Sequence, residues 1–162
     1  MTWQLRRATP DDLEAIMLLE TSIFTTDGWA ADAMVSELRN PQCWYLVAER
    51  VGFPGTVDGY AGLFCPPGAG EADIQTIAVA ESARGDGLGR SLMNALIGEA
   101  RKRGARQLFL EVRADNPGAQ HLYESLGFEQ IAVRAGYYQQ DDVDANVMRL
   151  VVPAPVTGPA HD

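Results

Sequence analysis

The sequence predicts an α/β domain built around one mixed sheet. Three observations carry that prediction. Apolar runs of strand length alternate with segments of helical period, three strands follow one another mid-chain, and two more close the chain. At 162 residues the chain fits one domain with a real core, since about 150 residues bury roughly 70% of their extended surface. A hydrophobic share of 46% and a charged share of 22%, without repeats, are those of an ordinary globular protein.

The elements follow in order. "WQLRRA" at 3–8 is a short strand, and "TPDDLEAIMLLETSI" at 9–23 a helix with Thr9 as cap, Pro10 first and Asp11 and Asp12 in its opening turn. Leu13, Ile16, Met17 and Glu20 form its apolar stripe with a polar end. "FTTDGW" breaks the pattern, and "AADAMVSELRN" resumes a helix that stops before Pro41. "CWYLVAERV" and "VDGYAGLFC", separated by "GFPGT", read as a hairpin. "ADIQTIAVA" is a further strand, with Ile74, Thr76 and Ala78 alternating against Gln75, Ile77 and Val79; apolar residues on both faces make it central. Leu88, Leu92, Ala95, Leu96, Ile97 and Ala100 then recur at helical spacing, opposite Arg90, Asn94, Arg101 and Lys102. "RQLFLEV" is a strand, "NPGAQHLYESLG" a helix capped by Asn116 and stopped at Gly127, and "FEQIAVRAGYY" and "ANVMRLVV" are closing strands. Residues 153–162, "PAPVTGPAHD", lack periodicity and read as a disordered tail, which leaves 1–152 as the domain.

A formal charge of −9 argues against nucleic-acid binding and suits a cationic substrate. It also requires any phosphate site to be local, built from backbone N–H groups and a few arginines. No apolar run approaches the 18 or so residues of a bilayer span, and the amino terminus meets charges too early for a secretory signal, so a cytoplasmic location is expected. Cys43 and Cys65 have no C-x-x-C spacing and, with His121 and His161, make a poor metal set; buried free thiols and no metal are expected.

The chemistry starts at "RGDGLGRSLM", residues 84–93, a glycine-rich turn between a strand and a helix. Unpaired N–H groups of a first helical turn, aided by the helix dipole, cradle anions, and glycine lets a phosphate come close. The Walker pattern fails because Arg90 follows Gly89 and the glycine spacing is too short. The dinucleotide fingerprint fails on spacing and on its mid-chain position. The run Arg84-Gly85-Asp86-Gly87-Leu88-Gly89, between "IQTIAVA" and "RSLMNALIGEA", resembles the pyrophosphate loop of the GNAT acyltransferases. The resemblance continues through "LFLEVRADNPGAQHLYESLGF" and covers about residues 4–150. Within that family "IAV", "LEVRADN", "LYESLGF" and "RAGYY" are most similar to the branch that acetylates the amino-terminal alanine of a small-subunit ribosomal protein. Asp86 departs from the pattern, where a neutral or basic residue is usual.

The resemblance implies the GNAT fold, a central, mostly antiparallel twisted sheet flanked by helices, and direct transfer of acetyl from acetyl-coenzyme A to a primary amine in a ternary complex. It implies that the diphosphate lies on the N–H groups of Gly85, Asp86, Gly87, Leu88, Gly89 and Arg90, with Arg84 and Arg90 adding charge. The thioester arm would run beside Ile77, Ala78 and Val79, with an N–H near Val79 meeting the oxyanion. Asn116 would reach the pantetheine amides and Tyr123, nearly two turns on, the sulfur as general acid. Glu111 would accept the amine proton, and Phe24, Trp29, Tyr137 and Tyr138 would line the peptide groove. Each residue also has a plain reading: Ile77, Val79 and Tyr123 as core, Glu111 as a strand-end carboxylate beside Arg113, the aromatics as packing. An acetyltransferase for lysine side chains or small amines, and a coenzyme A-binding sensor without turnover, remain open beside the leading reading.

Overall fold

The computed structural model describes residues 2–24 and 28–153. Most of the expected tail, 154–162, and Thr25, Thr26 and Asp27 of the "FTTDGW" break lie outside the described residues. The elements come in the predicted order: β1 (Trp3–Arg7), α1 (Leu13–Ile23), α2 (Ala31–Arg39), β2 (Cys43–Arg50), β3 (Val57–Phe64), β4 (Glu71–Val79), α3 (Leu88–Lys102), β5 (Gln107–Arg113), α4 (Pro117–Ser125), β6 (Glu129–Tyr138) and β7 (Val143–Val151). The first helix opens later than its cap suggests. Thr9 does cap, reciprocally with Asp12, but Pro10–Asp12 form a 3-10 turn before the α-helix begins.

The seven strands form one sheet in the order β1-β2-β3-β4-β5-β7-β6. All neighbours are antiparallel except β4 and β5, which run parallel and pair only over Glu71–Asp73 against Gln107–Phe109. Beyond Asp73 and Phe109 the two strands part, and the sheet opens at its centre.

Helices cover both faces. Leu88, Leu92, Met93, Leu96 and Ala100 of α3 and Tyr123 of α4 pack with Leu63, Ile74, Leu108 and Leu110 on one side. Ile16 and Leu19 of α1 and Met34 of α2 pack with Tyr45, Val47, Tyr60 and Ala78 on the other. Strand β5 alternates strictly, with Leu108, Leu110 and Val112 buried and Phe109, Glu111 and Arg113 half-buried on the opposite face.

Strand β4 does not alternate, and this corrects the expected pattern. Its register with β3 shifts between Gly62↔Thr76 and Leu63↔Ile74, which leaves Gln75 as the extra residue of a β-bulge. Ile74 therefore packs in the α3 cluster while Ala78, four residues on, is buried in the α1–α2 cluster. Both cysteines are buried free thiols.

Candidate active site

Where β4 and β5 part, a cleft of about 1110 Å³ runs through the sheet. Its walls come from both faces. Phe24 and Trp29 reach it from the α1–α2 side, Asn116, Ala119 and Tyr123 from α4, Ile74–Ile77 from β4, Phe109–Arg113 from β5, and Arg134 and Tyr137–Asp141 from the end of the β6–β7 hairpin. Eight of the residues singled out in the sequence, Phe24, Trp29, Ile77, Glu111, Asn116, Tyr123, Tyr137 and Tyr138, are thereby brought to one cavity.

Glu111 shares a face of β5 with Arg113 but takes Arg134 of β6 as its ion-pair partner. Its Oε2 forms an ion pair with Arg134 Nη1 at 3.0 Å, across from β6, and its side chain keeps 29% exposure. Arg113 turns instead to Asp115 at 2.9 Å and Asp141 at 3.0 Å, and stacks over the Tyr138 ring at 5.0 Å. Arg134 stacks likewise over Tyr137 at 5.3 Å. The two arginines thus clamp the β6–β7 hairpin onto β5, and the edge-to-face pair Tyr137 and Tyr138 forms a wall beside the carboxylate. Burial, together with the nearby Glu111 carboxylate, holds the Tyr137 phenol above its ordinary pKa.

Tyr123 is buried to 7% exposure, edge-on to Phe128, and its hydroxyl takes no hydrogen-bond partner among the described residues. Burial, with a smaller contribution from Tyr138, pushes its phenol up to about 12. A proton is therefore always present there. Asn116 caps α4, accepting from the Ala119 N–H at 3.2 Å, which fixes the helix that delivers Tyr123.

The β4 backbone supplies the other half of the site. Ala80 N–H donates to Asp58 C=O at 2.7 Å. Bonded and unbonded pairs alternate along an antiparallel ladder, so Ala78 bonds to Tyr60 while Ile77 and Val79 turn their N–H and C=O away from β3, toward the gap. Ala78, expected beside the ligand, instead has its side chain in the core and its backbone in the ladder. The Val79 carbonyl already accepts from Arg84 Nε at 3.2 Å, which leaves its N–H.

Past the cleft, a 3-10 turn at Glu81–Ala83 leads into the glycine stretch. Gly85 and Gly87 have φ of 90° and 83°, a region that costs other residues about 1–2 kcal/mol. Gly87 is the N-cap of α3 and no side chain caps that helix, so its first-turn N–H groups are open to an anion. Buried Leu88 anchors the turn, and half-buried Gly89 follows it. Asp86 is exposed and takes no partner among the described residues. Arg90 Nη2 donates to Ser125 Oγ at 2.9 Å and ties α3 to α4.

Sequence reasoning missed three groups here. Glu20, read as the polar end of a stripe, is 1% exposed and its Oε2 accepts from the Trp29 N–H at 2.7 Å, fixing that aromatic against α1. The signal was available, since Glu20 stands at apolar-face spacing from Leu13 and Ile16. Asp73 lines the cleft, its carboxyl held above the ordinary value by burial and by the charges of Glu71 and Glu111. Arg134 carries no local signal, because its partner is 23 residues away. Among the described residues no group of acidic, histidine or cysteine side chains is arranged to hold a metal, and no helix is long and apolar enough to cross a membrane.

A sheet parted beside an uncapped helix start, with a carboxylate and a buried phenol in the parting, is the frame of an acyltransferase. Residues 11–128 match the Acetyltransferase (GNAT) family, and the chain belongs to that family. N-alpha-acetyltransferase RimI of Mycobacterium tuberculosis is 37% identical over 146 residues, covering 87% of this chain and 87% of its own. A Mycobacterium leprae protein named only as uncharacterized is 39% identical over 146 residues; the match covers 87% of this chain and spans 38% of that protein's length. The crystal structure of the ribosomal-protein-S18-alanine N-acetyltransferase from Escherichia coli superposes with a TM-score of 0.83 at 29% identity, over 96% of this chain and 97% of that one.

Proposed function

We propose that this protein transfers acetyl from acetyl-coenzyme A to the α-amine of an amino-terminal alanine, that of a small-subunit ribosomal protein, in the cytoplasm and without direct contact to nucleic acid. The observation that carries the reading is Glu111, a half-buried carboxylate in the same cleft as a protonated, buried Tyr123. The names of two of the three relatives above, the Mycobacterium tuberculosis and Escherichia coli enzymes, support the choice of amine.

The residues fit the ligand. The uncapped α3 start with Gly85 and Gly87 suits a diphosphate, and the outward N–H and C=O of Ile77, with the N–H of Val79, suit an extended amide-bearing arm. Acetyl-coenzyme A supplies the activated acetyl as a thioester. The amine enters between Phe24, Trp29, Tyr137 and Tyr138 and gives its proton to Glu111 as the C–N bond forms. The Val79 N–H, turned away from β3, would meet the carbonyl oxygen, and Tyr123 would donate to sulfur as the C–S bond breaks. An α-amine has a pKa of about 8, so the base has modest work to do.

Incubation with acetyl-coenzyme A and peptides beginning Ala, Ser, Gly or Met, plus an amino-blocked lysine peptide, tests this by mass spectrometry. Acetyl is expected on the alanine α-amine. Acetyl on lysine alone overturns the reading, and coenzyme A binding without turnover of any peptide returns the protein to a sensor.

The loop has its own test. A Cβ at position 87 meets open space, so Gly87→Ala costs only the left-handed backbone, about 1–2 kcal/mol. If the variant relieves that strain by shifting the helix start, the acetyl-coenzyme A KM rises about tenfold with kcat little changed. A lowered kcat at unchanged KM would remove the loop from cofactor binding.

A further inference from the structure

The bulge at Gln75, on the cleft wall, is held by a part-buried polar network that the catalytic reading does not use. Gln75 Oε1 accepts from Tyr45 Oη at 2.7 Å, and Gln75 Nε2 donates to Glu37 Oε1 at 2.8 Å. The Cys43 thiol, pushed up to about 12 by burial and by Glu37, keeps its proton and donates to the same Glu37 oxygen at 3.3 Å. Three elements, α2, β2 and β4, are thus joined through one amide side chain.

The network depends on a gap in the intervening strand. Tyr45 lies on β2 and Gln75 on β4, so the phenol has to cross β3. It does so over Gly62, where a Cβ would stand 2.1 Å from Tyr45 Cζ. Any side chain at 62 removes that path. Tyr45 is 2% exposed, and burial first, then neighbouring Cys43 and Glu37, hold its phenol far above its ordinary value, so it is a permanent donor to Gln75.

What the bulge decides is which amides face the gap. With Gln75 as the extra residue, Ile77 and Val79 turn outward. Were Gln75 paired into the ladder opposite Gly62 instead of bulged out, the register beyond it would slip by one, turning Thr76 and Ala78 to the gap and Ile77 and Val79 into β3.

We propose that Gln75 is a positioning residue for acyl transfer, locked by Tyr45 and Glu37 so that the bulge presents the Ile77 and Val79 backbone to the thioester arm. This rests on acetyl transfer in the cleft. The network also ties α2, on the amine side, to the strand on the cofactor side.

Tyr45→Phe removes one hydrogen bond and keeps the ring over Gly62. Misplacement of a reacting group by about 1 Å lowers turnover as much as a hundredfold. The expected result is a kcat lowered about tenfold or more with the acetyl-coenzyme A KM within about twofold, since the glycine loop is untouched. Gln75→Ala gives the same split, and the double variant is no slower than Gln75→Ala alone because both act through one bond. Trp3→Phe, which removes the bond from Trp3 Nε1 to the Asp58 carboxylate and keeps the Asp58 C=O bond to Ala80 N–H, leaves kcat unchanged for a comparable loss of melting temperature. Amide hydrogen exchange over 74–79 rises in Tyr45→Phe and not in Trp3→Phe. That measurement needs no turnover, so it decides the role of the network even if the wild type acetylates none of the peptides. Unchanged exchange over 74–79, additive losses in the double variant, or an equal fall in kcat for Trp3→Phe would each overturn the proposal.

Discussion

Glu111→Gln is expected to lower kcat by about 10²- to 10⁴-fold, the usual contribution of a positioned general base. The amide keeps the side chain's size, and the Arg113 pair with Asp141 and stacking on Tyr138 still clamp the hairpin onto β5. What it loses is the ability to take a proton. Steady-state kinetics with an alanine-initiated peptide should therefore show the loss in kcat, with coenzyme A affinity by calorimetry unchanged. Raising the pH should restore part of the activity of this variant as more of the amine loses its proton to solvent. A variant with wild-type kcat at neutral pH would refute the role of Glu111. So would equal loss of kcat and of coenzyme A binding, which would mark Glu111 as structural.

Tyr123→Phe is expected to lower kcat about a hundredfold, at the lower end of what an acid contributes. The ring keeps its edge-on packing with Phe128, and no protein hydrogen bond is lost, so the melting temperature should hold within a few degrees. The pH dependence follows from the raised phenol. A group that titrates at about 12 stays protonated through pH 10, so the activity of the wild type should show no alkaline fall from loss of this proton below about pH 11. A free thiol titrates at about 8.5, so the phenol is the weaker acid. It acts by donating to sulfur as charge builds during C–S cleavage. Substrates with a better leaving thiolate should accordingly narrow the gap between Tyr123→Phe and the wild type. If the variant is as fast as the wild type with acetyl-coenzyme A, Tyr123 is a core aromatic and no more.

Much of this molecule is written locally. Helical spacing from Leu88 to Ala100, the caps at Thr9 and Asn116 and the strand-length apolar runs are each set by a few neighbouring residues, and among the described residues the eleven α-helices and strands stand in the predicted order. The glycines at 85 and 87 are equally legible, because a left-handed backbone at a helix start leaves few other choices. Glu111 and Tyr123 stood out for the same kind of reason, one as a carboxylate in an apolar strand and the other on an amphipathic helix.

The remainder depends on distance in sequence. The alternation expected for β4 failed at Gln75 because a bulge is a property of two strands and their packing, and its support comes from Tyr45, Gly62 and Glu37. Arg134 as the partner of Glu111 was invisible, since only the β6–β7 hairpin folding back along β5 brings the two to 3.0 Å. Ala78 looked like its neighbours Ile77 and Val79 until the register with β3 turned its backbone away from the gap. The sequence by itself determined the elements and the glycine turn at the α3 start, all encoded within a helical turn or a strand, while the roles proposed for Glu111 and Tyr123 came from the resemblance to the GNAT family. Only the tertiary structure decided which backbone amides face the cleft and which charge sits against the base, because hydrogen-bond register and ion pairing are set between segments that meet only when the sheet has formed.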